Sequence, residues 1–261
     1  MANPQGSFIW YELMTPDQDA SKAFYDQVMA WSVQPEQSGA LDYRMLQGTG
    51  DPIGGALKLT DEMIAGGARP GWLGYIYVDD VDASLTRIRA AGGKIMMPAH
   101  DMPGVGRFAM VTDPLGAPFY LMKPVPPADD PDKASQAFHP TAIGHVAWNE
   151  LASSDHKAAL GFYGDLFDYR CNEVMPMGEM GDYAFLDHHG TRIGAMMTRK
   201  DSPNAWTFYF RVASVSEAKA AITAAGGTVM FGPTPVPGGD HVVIAMDPHG
   251  AVFGIVGQQG A

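Results

Sequence analysis

Basic residues are scarce in this sequence: 17 lysines and arginines stand against 29 aspartates and glutamates, leaving a formal charge of −12 at pH 7. Nucleic acid and anionic membrane would both repel such a chain, so neither is expected as a partner. Cysteine is nearly missing. Cys171 stands alone, which excludes an intrachain disulfide and fits a reducing compartment. No run approaches the roughly 18 apolar residues of a membrane span, and the opening MANPQGSF has neither the basic nor the apolar segment of a secretory leader. A cytoplasmic protein is expected. Signature motifs are missing too: there is no Gly-x-Ser-x-Gly, no P-loop, no His-Glu-x-x-His and no paired-cysteine spacing. What remains is globular composition, 46% hydrophobic and 18% charged, in 261 residues, a length that suits two ordinary domains.

The chain repeats itself. Trp10, Glu12, Phe24 and Tyr25 recur as Trp148, Glu150, Phe162 and Tyr163, each 138 residues later. AAGG at 90–93 recurs at 224–227, and DPLGAPF at 113–119 returns as DPHGAVF at 247–253, both at an offset of 134. Colinear likeness over most of the chain indicates duplication. Between the copies lies a proline-rich stretch read as a stiff, extended connector. The expected division is a first domain over 3–124, a linker over 125–140 and a second domain over 141–258.

Each copy repeats again, more faintly. FIWYELM at 8–14 and WLGYIYV at 72–78 have the aromatic and β-branched content of strands. Each precedes an Asp and a helical pattern, with apolar residues at Phe24, Val28 and Trp31 or at Val81, Leu85 and Ile88. Gly92 and Gly226 fall where a left-handed residue stops a helix. Strand-like runs follow, and Asp-Pro-x-Gly fits a type I turn. The unit is βαβββ, present four times.

These four units, the strand–Asp–helix opening with its Phe-Tyr pair, and the closing DPLGAPFYL resemble the vicinal oxygen chelate superfamily, which holds glyoxalase I, fosfomycin and bleomycin resistance proteins and extradiol dioxygenases. The tandem arrangement is similar to its hydroxylase-like subgroup. The resemblance implies an α+β fold: two tandem domains whose mixed sheets curl into cups. It also implies a divalent metal on the cup floor, held by a His or Gln seven residues before the helix-opening Asp and a Glu seven after the turn Asp. Those slots hold Trp10 and Trp148 on the first strands, Leu73 and Thr207 in the second units, and Tyr120 and Gly254 at the close. Indole, alkyl and glycine groups offer a cation no lone pair, and neutral Tyr and Thr are poor ligands. Neither metal nor other cofactor is expected. The eight histidines show no ligand spacing, and His188 and His189 read as a hairpin tip.

Alternation places Trp10, Glu12 and Met14 on one strand face, which the resemblance makes the inside of a cup. Trp148 and Glu150 repeat the arrangement. The indole has two readings, core filler where a metal was lost or a stacking wall for a flat ligand. The carboxylates also have two: a brace hydrogen-bonded within the fold, or a general base lifted by an apolar cup. Tyr120 is a candidate acid or oxyanion donor opposite Glu12; Gly254 either enlarges the second cup or lets a strand approach closely.

Three functions follow. The first is a metal-independent binder of a small apolar or aromatic molecule, lined by Trp10, Met14, Leu73, Trp148, Thr207 and Gly254. The second is a metal-free lyase, isomerase or hydroxylase-like enzyme with Glu12 or Glu150 as base, and the third a metal-dependent glyoxalase or dioxygenase. Two copies on one chain imply a monomer paired internally, or a homodimer.

Overall fold

The computed structural model describes residues 3–29, 31–35, 42–48 and 50–260. Among them run the four expected βαβββ modules. The first copy comprises β1 (Phe8–Thr15), α1 (Gln18–Val28), β2 (Ser32–Val33), β3 (Tyr43–Gln47) and β4 (Pro52–Lys58), then a short helix α2 (Asp61–Ala65). Its second module is β5 (Gly71–Tyr77), α3 (Val81–Ala90), β6 (Lys94–Met102), β7 (Gly106–Thr112) and β8 (Pro118–Pro124). The second copy repeats this with β9 (Val146–Ser153), α4 (His156–Phe167), β10 (Val174–Pro176), β11 (Asp182–His188) and β12 (Thr191–Thr198). It closes with β13 (Ala205–Val212), α5 (Val215–Ala224), β14 (Thr228–Pro235), β15 (His241–Met246) and β16 (Val252–Gly257).

Local chemistry sets the helix ends. Asp17, Asp80, Asp155 and Ser214 cap the four long helices, each accepting from a backbone amide two or three residues on. At the other end of α3, Gly92 has φ +88°; Gly92 donates to Arg89 and Gly93 to Ile88 at 3.1 and 2.9 Å. Gly226 and Gly227 close α5 in the same way. This paired bonding needs a left-handed residue, and glycine takes that conformation without steric cost.

Each copy forms one eight-stranded mixed sheet among the described residues, ordered β2-β3-β4-β1-β5-β8-β7-β6 and β10-β11-β12-β9-β13-β16-β15-β14. β1 is parallel to β4 and β5 to β8, while the hairpin neighbours are antiparallel. On β1 the residues alternating with Trp10 are enclosed: Ile9, Tyr11 and Leu13 are buried. Tyr11 meets Phe208 edge-on at 4.9 Å.

Compactness cuts the chain differently from the repeat. One compact unit gathers Met1–Ile9, Leu73–Ser135 and Asn149–Trp206; the other gathers Trp10–Trp72, Gln136–Trp148 and Thr207–Ala261. Each therefore combines the opening module of one copy with the closing module of the other. In the first unit the Asp113 Oδ1 accepts from the Leu115 and Ala117 amides at 2.9 Å. Its Oδ2 accepts from the Tyr163 hydroxyl at 3.4 Å, and Tyr163 in turn accepts from the Trp206 indole at 3.0 Å. The second unit repeats the chain of bonds. Trp72 donates to Tyr25 at 3.0 Å and Tyr25 to Asp247 at 3.1 Å, with Asp247 also closing its own turn. Burial raises both phenols well above their ordinary pKa, with the neighbouring aspartates adding to it, so both remain donors. The Phe-Tyr pair of each copy thus meets the Asp-Pro-x-Gly turn of the other.

Two expectations need correction. α1 ends at Val28, so Trp31 lies beyond the helix, where its indole donates to the Gly144 carbonyl at 2.8 Å. The linker is turned and anchored, not extended. Asp130 donates to Pro127 and Lys133 to Asp130, Ser135 Oγ donates to the Ile9 carbonyl at 2.6 Å, and Ala137 is fully enclosed.

Replacing Tyr163 by Phe strips a buried carboxylate and a buried indole of one hydroxyl. It should lower the unfolding free energy by about 1–3 kcal/mol, read from urea denaturation. A loss within error of zero would show that the bond carries no stability.

Candidate functional site

The face that opens the first copy is built on one unit. Trp10 is half-buried, and its indole Nε1 donates to the Tyr43 hydroxyl at 2.8 Å, which fixes the plane of the ring. The Tyr43 ring lies over Gly55: a β-carbon there would come within 2.3 Å of the ring, so a larger residue would displace it from this position. Glu12 is 3% exposed and Met14 6%. The alternation expected of this strand is present, and it puts the carboxylate deeper than the indole.

In the second copy Trp148 is again half-buried, packed with Val242 and Ile244 against a cluster that contains Tyr209 and Val256. Thr207 is half-buried on β13. Gly254 does not enlarge anything: the Tyr209 ring fills its place, 2.3 Å from where a β-carbon would stand. Tyr209 and Gly254 are direct neighbours across β13 and β16. Of the two readings of Gly254, added room and close approach, the space of the first is taken by the side chain of the neighbouring strand.

The equivalent pair in the first copy is Tyr75 and Tyr120, direct neighbours on β5 and β8. Their rings stack at 4.2 Å with an interplanar angle of 12°. Leu73 and Tyr120 are both buried. Within the same unit, Glu150 is half-buried and accepts from the Tyr183 hydroxyl at 2.5 Å. So short a bond marks a carboxylate acceptor with a phenol aimed at it.

The six metal slots of the resemblance hold an indole bonded to Tyr43, an indole packed on aliphatic side chains, a buried leucine, a threonine, a stacked tyrosine and a covered glycine. These groups do not fit a divalent ion. Among the described residues no group of three or more His, Cys, Asp or Glu side chains could hold one. Several histidines serve the fold. His145 Nδ1 bonds the Gln136 carbonyl at 2.6 Å, and His156 Nδ1 bonds Thr198 Oγ1 at 2.7 Å. His188 ends β11, and His189 and Gly190 have positive φ, as a tight hairpin turn requires. A separate surface cavity of about 320 Å³ lies along α4 between Lys157, Asp165 and Cys171, and none of the sequence-predicted residues lines it.

Tandem βαβββ modules in two mixed sheets define a class of duplicated ligand-cup folds. The chain belongs to the glyoxalase/bleomycin resistance protein/dioxygenase superfamily, whose model matches residues 7–120 and 142–255. It is 30% identical over 259 residues to CFP32 of Mycobacterium tuberculosis, a protein provisionally named a glyoxylase, covering 97% of this chain and 95% of that one. It is 27% identical to the anthracycline biosynthesis protein DnrV of Streptomyces peucetius, over 96% of this chain and 93% of the relative. The Mn(II)-bound glyoxalase of Novosphingobium aromaticivorans shares the fold at a TM-score of 0.65 and 17% identity, covering 98% of this chain and 83% of that one. An extradiol ring-cleaving dioxygenase from B. fuscum does so at 0.68 and 16%, covering 98% and 73%. No helix among the described residues is long and apolar enough to cross a membrane.

Sequence reasoning missed Tyr43, Tyr183 and Tyr209. A signal existed: DYRML at 42–46 and DYAFL at 182–186 repeat at an offset of 140, and Tyr75 recurs as Tyr209 at 134.

His188 offers a test of the structural role. Its Nε2 lies 2.9 Å from the Gln5 carbonyl, and burial, with His189 nearby, holds its pKa below the ordinary value against that carbonyl's opposing pull. A depressed folded pKa means stability that is complete above the unfolded value of about 6.5 and is lost as pH falls through the folded one. Denaturation midpoints should therefore drop on acidifying below about pH 6.5, and His188→Gln should flatten that slope. An unchanged slope would assign the acid sensitivity to other groups.

Proposed function

We propose that this protein binds a small apolar or aromatic molecule on the strand faces that carry Trp10 and Trp148, without a metal ion. The observation that carries the reading is the Trp10–Tyr43 bond, which orients a partly exposed indole at the position where the family resemblance implies a metal ligand. A ring serving only as filler would be enclosed; an oriented, accessible ring is a wall for a flat ligand. Trp148, half-buried on a floor of valine, isoleucine and tyrosine, supports the same use in the second copy. The likeness to DnrV, and to DauV of Streptomyces sp. strain C5 at 26% identity, favours a flat aromatic ligand, because both are named for anthracycline biosynthesis.

One observation favours a second reading, a metal-free enzyme with Glu150 as base. Tyr183 donates to that half-buried carboxylate at 2.5 Å and so orients it to take a proton from a bound molecule. Turnover that disappears in Glu150→Gln at unchanged melting temperature would support it.

The primary reading is tested on purified protein by metal analysis and by tryptophan fluorescence against a panel of aromatic compounds. Quenching should survive a chelator, and Trp10→Ala or Trp148→Ala should weaken binding at its own face on the order of tenfold. Binding or turnover that requires a stoichiometric metal would overturn the metal-free assignment.

A further inference from the structure

The carboxylates of the two copies differ in how deeply they are buried, and so do the side chains beside them. On β1, β4 and β3, Glu12 pairs across to Gly55 and Met14 to Leu57, with Met45 and Tyr43 on the next strand. On β9, β12 and β11, Glu150 pairs with Ala195 and Ala152 with Met197, flanked by Phe185 and Tyr183. The second copy carries the larger side chain at two of these positions, Ala195 for Gly55 and Phe185 for Met45. It is clearly smaller at one, Ala152 for Met14. Exposure differs at the same place. Glu12 and Met14 are buried, whereas Glu150 and Ala152 are both half-buried.

We propose that Ala152 opens a hydrogen-bond acceptor site at Glu150, and that the molecule taken there is an apolar ring bearing a hydrogen-bond donor. The proposal rests on the binding reading above and deepens it for the second copy. Tyr183 orients the carboxylate, and a carboxylate has about four lone-pair positions. Half-buried Ala152 stands beside it, over a buried apolar layer of Ala195, Met197 and the Phe185 ring, itself held by the Arg192 guanidinium 4.4 Å from its centroid. A ring without a donor would gain the apolar contact and desolvate Glu150 with nothing in return; a ring with a hydroxyl or amine answers the carboxylate. In the first copy, Met14 beside Glu12 closes the corresponding approach, so that face selects for shape alone.

Titration calorimetry with 2-naphthol and its methyl ether, 2-methoxynaphthalene, separates these ideas. The unmodified chain should bind the naphthol on the order of tenfold more tightly than the ether, the span of a charge-assisted hydrogen bond. Ala152→Met should abolish that preference, and Glu150→Gln, which keeps side-chain size and so guards against a folding defect, should reduce it, because an amide oxygen accepts without the charge. Met14→Ala should add a second naphthol-selective site. Equal binding of the two compounds, or a preference that survives Ala152→Met, would overturn the inference and leave the binding reading standing. Binding of neither compound would overturn both.

Discussion

A buried tyrosine hydroxyl donating to a buried aspartate is the bond on which each compact unit depends. Tyr25 reaches Asp247 in one unit, and Tyr163 reaches Asp113 in the other. Each aspartate is already committed to its own turn through two backbone amides, and each tyrosine accepts from a tryptophan. A carboxylate in such surroundings would be costly alone. The network satisfies it, and burial, the largest influence on Asp113, raises that group's pKa despite these donors. The repeated Phe-Tyr and Asp-Pro motifs are therefore structural signatures, which leaves the Trp and Glu of β1 and β9 as the residues to which chemistry can be assigned.

Much of this was legible in the sequence. Four aromatic strand openings, capping residues at each long helix and glycines at two helix ends specify the modules, because each signal acts within a few residues of itself. Pairing was not legible. A repeat offset states which segments are alike and is silent on which segments pack together, so the exchange of modules between copies could not be read from it. The site divides the same way. Trp10 and Glu12 share a face because strand residues alternate, and that needs no partner strand. Tyr43 over Gly55 and Tyr209 over Gly254 need the register of neighbouring strands, and register comes from the whole sheet.

The copies have diverged at matched positions. Tyr43 accepts from an indole in one copy, while its counterpart Tyr183 donates to a carboxylate in the other. Tyr75 stacks on Tyr120, while Tyr209 lies on a glycine. Duplication supplied two equivalent faces, and single side-chain changes gave them different depth and polarity without disturbing the backbone pairing beneath.

The bond from Tyr25 to Asp247 spans 222 residues of chain. At ribosomal speeds of about 5–20 residues per second, the tyrosine is made roughly ten to forty seconds before its acceptor. For that interval α1 carries an aromatic surface whose mate has not been synthesised. The two cores are therefore completed in order: the unit that ends at Trp206 has all of its segments before the closing module is made, whereas the other waits for Thr207–Ala261.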